Sequence, residues 1–181
     1  MGPRVTDNPA FLLFDAWDDL DRVYAGLSAE DAVQRADGSA FAWTLAHTTN
    51  QLDTWINVRF QGIEPHPLLG QERFRFGGTG EAEEWDDILA AVADVRDRAK
   101  SYLEAVTADE LDRVHPYDGS ITHLRDGGIT LRYAISRTVA HHYFHLGEVA
   151  TKRDRLGHSV GDYPGLLSNS LPSNAEEQDT A

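Results

Sequence analysis

Cysteine is absent from this chain of 181 residues. The protein therefore has no disulfide framework and no thiolate nucleophile of its own, and any metal ligands must come from His, Asp, Glu or water. Sulfur chemistry would need an imported thiol. Lysine is nearly as scarce, occurring only at Lys100 and Lys152, and 16 basic against 30 acidic residues leave a formal charge of −14. No basic stripe is available to follow a phosphate backbone, which makes nucleic acid a poor partner. No apolar run approaches the roughly 20 residues of a membrane span, and the N-terminal MGPRVTDNPAF lacks a charged stretch leading into an apolar one. These absences describe a soluble, cytoplasmic protein without a membrane partner, its charge serving solubility.

What remains is ordinary for a folded domain, with 41% hydrophobic and 25% charged residues, and the length suits one compact unit. Asp7 or Asn8 before Pro9 marks a helix start. Leu13, Trp17, Leu20, Tyr24 and Leu27 then recur at spacings of four and three, predicting an amphipathic helix over about 9–27. Ser28 and Asp31 suit a short capped turn, closed by Asp37-Gly38. A second helix is expected over 40–61, closed by Gly62. Leu45, Leu52 and Ile56 lie on one side of it and Trp43, His47, Asn50, Thr54 and Val58 nearly opposite, so protein should flank it twice. Residues 62–80, with Pro65, Pro67, Gly70 and Gly77-Gly78, read as a long connection of the kind that shapes sites.

Glu81, Glu83 and Glu84 favour the positive end of a third helix, whose stripe runs Trp85, Ile88, Val92, Val95, Ala99, Tyr102, Val106. Thr107 and Glu110 fit a capping box, and Asp126-Gly127-Gly128 fits a small hairpin or a tight turn. A fourth helix is expected over 130–155, ending at Gly157. Four long helices with a long second connection predict an all-α four-helix bundle in one domain over 1–171. The polar, acidic residues 172–181 are expected to form a disordered tail.

Of eight histidines, the informative ones are His141, His142 and His145 in VAHHYFHLGEVA. Residues four apart project from the same side of a helix, so His141 and His145 can direct their rings at one ion. His47 on the second helix supplies a third candidate. Three neutral imidazoles from two packed helices leave an open coordination position, which is the catalytic rather than the structural arrangement. His142 competes: it projects near the centre of the stripe formed by Ile135, Val139, Leu146 and Val149, where it is either a ligand paired with His145 or a buried histidine bonded to a carbonyl. Glu148, one turn beyond His145, could orient a ligand, act as a weak fourth ligand or serve as general base. Asn50, Trp43 and Arg132 are candidate cavity residues by helical proximity. Tyr143 and Phe144 are candidates for a homodimer face.

The segments LAHTTNQLDTWI around His47 and RTVAHHYFHLGEVATKRDRLGH around His141 and His145 resemble the DinB/YfiT-like superfamily over about residues 11–165. The resemblance implies a four-helix bundle with a long second connection and a divalent metal held by His47, His141 and His145. One departure is visible: the family usually reads HRGQ where this chain has His145-Leu146-Gly147-Glu148. For function, the resemblance implies a thiol-dependent S-transferase, isomerase or lyase acting on a small molecule with mycothiol, bacillithiol or glutathione as co-substrate. An Arg-rich, Lys-poor composition points to mycothiol among these. A metal-dependent hydrolase on the same ligands and a non-catalytic, metal-stabilised stress or binding protein are the other readings. Three imidazoles suit Zn²⁺, and Ni²⁺ binds such sets as well.

Overall fold

The computed structural model describes residues 8–35 and 38–160; the expected domain end at residue 171 and the acidic tail beyond it lie outside the described residues, as does Asp37 of the expected Asp37-Gly38 turn. The long helices form where the apolar spacing places them, although the first stops at Tyr24, short of the expected Leu27, where Gly26 turns the chain at φ 72°. The first, α1 (Ala10–Tyr24), follows Pro9, with the Asn8 side-chain oxygen accepting from the Ala10 N–H. It buries Leu13, Trp17, Leu20 and Val23. Ser28 caps the short α2 (Ala29–Val33) by accepting from the Asp31 N–H.

The second long helix departs from expectation. It is α-helical only over α3 (Phe41–Leu52) and continues as a π-helix over Asp53–Gln61 before Gly62 closes it in the left-handed region at φ 69°. Wide turns of this kind are recurrent at functional sites. Here they follow Asp53, which is buried, accepts from Asn57 through Oδ1 at 3.0 Å, and accepts from the His66 N–H through Oδ2 at 2.8 Å. A side-chain carboxylate thus ties the helix to the start of the long connection. One expected face is covered throughout, with Leu45, Leu52 and Ile56 buried; on the other Trp43, His47 and Asn50 are buried, but Thr54 and Val58 are half-buried and line an open cavity instead of packing against protein.

The long connection carries one 3₁₀ turn, Glu72–Phe74, and Phe74 is fully buried. The third long helix, α4 (Trp85–Ala105), starts immediately after the acidic cluster, and the capping box between Thr107 and Glu110 forms at the head of α5 (Ala108–Asp112). No hairpin forms at Asp126-Gly127-Gly128. The segment makes a short helix, α6 (Thr122–Gly127), and turns at Gly128 (φ 74°), leaving a single bridge between His115 and Ile129. Two residues either side cannot repay a strand pair that has no third strand to join.

The fourth long helix, α7 (Leu131–Arg155), packs on α1 and on both parts of the second helix. Arg153, buried, donates to the carbonyls of Val23 and Ala25 at 2.6 and 2.7 Å and so satisfies the open C-terminal end of α1. Phe144 is exposed, as its position predicts. Tyr143 is not part of the same face: it is half-buried, packs on the core and donates to Asp19. Among the described residues no helix is long and apolar enough to cross a membrane.

Thr130 caps α7 by accepting from the Tyr133 N–H at 3.1 Å. Thr130→Ala should lower unfolding free energy by about 1 kcal/mol, read as a lower urea midpoint at unchanged slope.

Candidate metal centre

His47 leaves the inner length of α3, and His141 and His145 leave α7 one turn apart. The packing of these two helices brings the three rings together. Ring centroids are 5.0 Å apart for His47 and His141, 5.0 Å for His47 and His145, and 4.6 Å for His141 and His145. One ligand nitrogen from each lies within 4.8 Å of the other two. Nitrogens sharing a tetrahedral ion at about 2.0–2.1 Å stand about 3.3 Å apart, so modest ring rotations close the set.

Hydrogen bonding fixes which nitrogen two of the rings present. His47 Nδ1 lies 2.7 Å from the Phe74 carbonyl. A carbonyl only accepts, so Nδ1 carries the proton and Nε2 of the neutral ring keeps its lone pair. His145 Nδ1 lies 2.8 Å from Glu148 Oε2, which gives the same tautomer by the same logic. Glu148 is a carboxylate held at about 2, first by the bond from His145 and then by Lys152, which donates to its other oxygen and to the Ser39 carbonyl. Burial pushes His47 below its ordinary value, against the pull of the Phe74 carbonyl. Burial, then the neighbouring His145 and His47, push His141 down to about 3. Neutral rings with oriented lone pairs are what a divalent ion requires.

His142 takes the bland one of its two expected roles. It is buried, its Nδ1 donates to the Thr138 carbonyl at 2.8 Å, and burial holds it neutral, down to about 3. It stands apart from the three-histidine group. Trp43 is a core residue and does not line the cavity, but it supports the site: its ring stacks on His47 at 4.8 Å and 7°, and its Nε1 donates to the Arg73 carbonyl at 2.6 Å. Asn50 donates to the Leu69 carbonyl at 2.7 Å. Arg132 lies away from the site, in an ion pair with Asp112 on the surface.

The centre opens on a cavity of about 790 Å³, whose wall includes His47, His141, Asn50, Trp55, Arg75 and Arg137. That volume suits a small organic molecule. Sequence reasoning missed Trp55, Arg75 and Arg137. The spacing of Arg137, four before His141 on one helix, was a usable sign; nothing local marks Arg75, because only the folded-back connection places it there. The Phe74 carbonyl was equally invisible, since a backbone acceptor has no residue signature.

Among curated proteins no match to this chain is found. The sequence profile of the DinB superfamily matches residues 12–149, a span that contains all three histidines, the whole of α3, most of α7 and the connection that fixes His47, and the chain belongs to that superfamily.

Proposed function

We propose that the protein is a divalent-metal-dependent, thiol-using S-transferase, or an isomerase or lyase of the same thiol chemistry, with mycothiol as the thiol and His47, His141 and His145 as the ligands. One observation carries the proposal: three imidazoles, two with fixed tautomers, converge beside an open cavity that His47 and His141 line, in a chain without cysteine. An ion such as Zn²⁺ or Ni²⁺ held there would supply Lewis acidity, keeping an incoming thiol as its thiolate near neutral pH.

The chain's own groups do the positioning. The Phe74 carbonyl and Glu148 hold the rings of His47 and His145 in place, and Trp43 covers one face of His47. Trp55 and Asn50 help wall off the cavity in which the acceptor lies. The hydrolase reading asks Glu148 to take a proton from water. Both its oxygens are already engaged, and a carboxylate held at about 2 accepts protons poorly near neutrality. A thiol starts several units more acidic than water, so on a Lewis acid it gives its proton to solvent more readily than bound water does, which favours transfer over hydrolysis. The cytoplasm, where low-molecular-weight thiols stay reduced, is the compartment this chemistry requires.

The test supplies mycothiol and 1-chloro-2,4-dinitrobenzene to Zn²⁺- or Ni²⁺-loaded protein. A carbon–sulfur bond forms, chloride leaves with its electron pair, and the thiol proton passes to solvent. Conjugate formation should vanish on chelation and return with metal. Formation of dinitrophenol without thiol would instead favour hydrolysis.

A further inference from the structure

Two arginines face the same cavity without a counter-charge. In this acidic chain Arg35, Arg73, Arg96 and Arg132 each contact a carboxylate. Arg75 and Arg137 form no ion pair among the described residues, although both line the cavity beside the histidines. Arg137 lies over the Trp55 ring, 4.8 Å from its centroid. Stacking on an indole holds the plane of a guanidinium while leaving its N–H edges available. Arg75 is tethered through Nη2 to the Gly70 carbonyl at 3.3 Å. Gln51 lines the same cavity, and both atoms of its amide are shielded from solvent with no hydrogen-bond partner.

We propose that Arg137 and Arg75 recognise a carboxylate on the substrate, with Gln51 reading a polar group between that carboxylate and the histidines. Two parallel N–H groups of a guanidinium match the two oxygens of a carboxylate. Arg137 precedes His141 by one turn, a rise of about 6 Å along α7. Arg137, His47 and His141 line the same cavity, so a carboxylate held by Arg137 and a group at the histidines can belong to one small organic acid. This rests on the proposed function for the chemistry at the ion, but not for the binding itself.

The experiment titrates 3-phenylpropionate and the neutral 3-phenylpropionamide into the full-length protein by calorimetry, both as purified and after chelation. The acid should bind roughly tenfold more tightly than the amide in both samples, the worth of a charge-assisted bond. The preference should disappear in Arg137→Met and shrink in Arg75→Met, with helical circular dichroism unchanged. Equal affinities, or a preference that survives the double variant, overturn the proposal. So does a preference seen only with metal present, which would put the carboxylate on the ion. Simultaneous binding of the acid and S-methylmycothiol, which has no carboxylate, places the acid in the acceptor's position, whereas displacement of one by the other overturns that placement. Because the chelated sample gives the deciding comparison, loss of the metal reading leaves this result intact.

Discussion

Protein carrying His47→Ala, His141→Ala or His145→Ala is expected to retain less than about a tenth of the divalent ion that the wild type holds at near one equivalent. Elemental mass spectrometry after gel filtration measures this directly. Each imidazole is one of three donors, and removing one leaves two nitrogens whose remaining partners must come from water. Losing an orienting partner alone costs roughly 10–100-fold in affinity, so losing a ligand should exceed that. The control is His142→Gln. His142 bonds the Thr138 carbonyl and stands outside the group, so its replacement should leave the ion bound even if the fold is weakened. Loss of metal from the His142 variant together with retention in the His141 variant would sink the assignment, and wild-type protein that takes up neither Zn²⁺ nor Ni²⁺ would do so as well.

Glu148→Gln is the second large effect, and it separates two roles that one residue could play. As an orienting group, Glu148 accepts the His145 Nδ1–H and faces the Lys152 ammonium, which is only 9% exposed. An amide of the same shape keeps one acceptor but loses the charge, so His145 becomes a weaker donor and Lys152 loses its ion pair. Metal affinity should fall by roughly 10–100-fold, and turnover should recover as metal is raised to saturation. A base would behave in the opposite way, with the ion bound normally and the rate low at every metal concentration. The comparison needs only a metal titration followed by activity at saturating ion.

Helix positions were legible because apolar residues recur at three and four, and that periodicity survives without knowledge of any partner. His141 and His145 could be paired from one helix alone, since geometry along a helix is local. His47 could be placed on the right face of the second helix for the same reason, but its meeting with the other two rests on packing between α3 and α7. The π-helical stretch after Leu52 escaped notice: no local pattern marks it, and the His66 N–H that donates to the Asp53 carboxylate at its start lies thirteen positions away. Arg132 and Arg137 show the limit most clearly. Both lie on α7 ahead of the histidines, yet Arg132 turns to Asp112 on the surface and Arg137 lies over Trp55 in the cavity.

Trp43, His47 and Asn50 each reach out from α3 to the long connection, and each finds a main-chain carbonyl there, of Arg73, Phe74 and Leu69. A carbonyl is the same whatever side chain its residue bears. The fastening is therefore blind to most of the connection's own sequence, provided its path is kept. Arg75 and Phe76, both exposed and both facing the cavity, can be exchanged without loosening the histidine beneath them. Selection could retune what enters this cavity by rewriting the connection, while the ion-binding machinery stays fixed on helices that need not change.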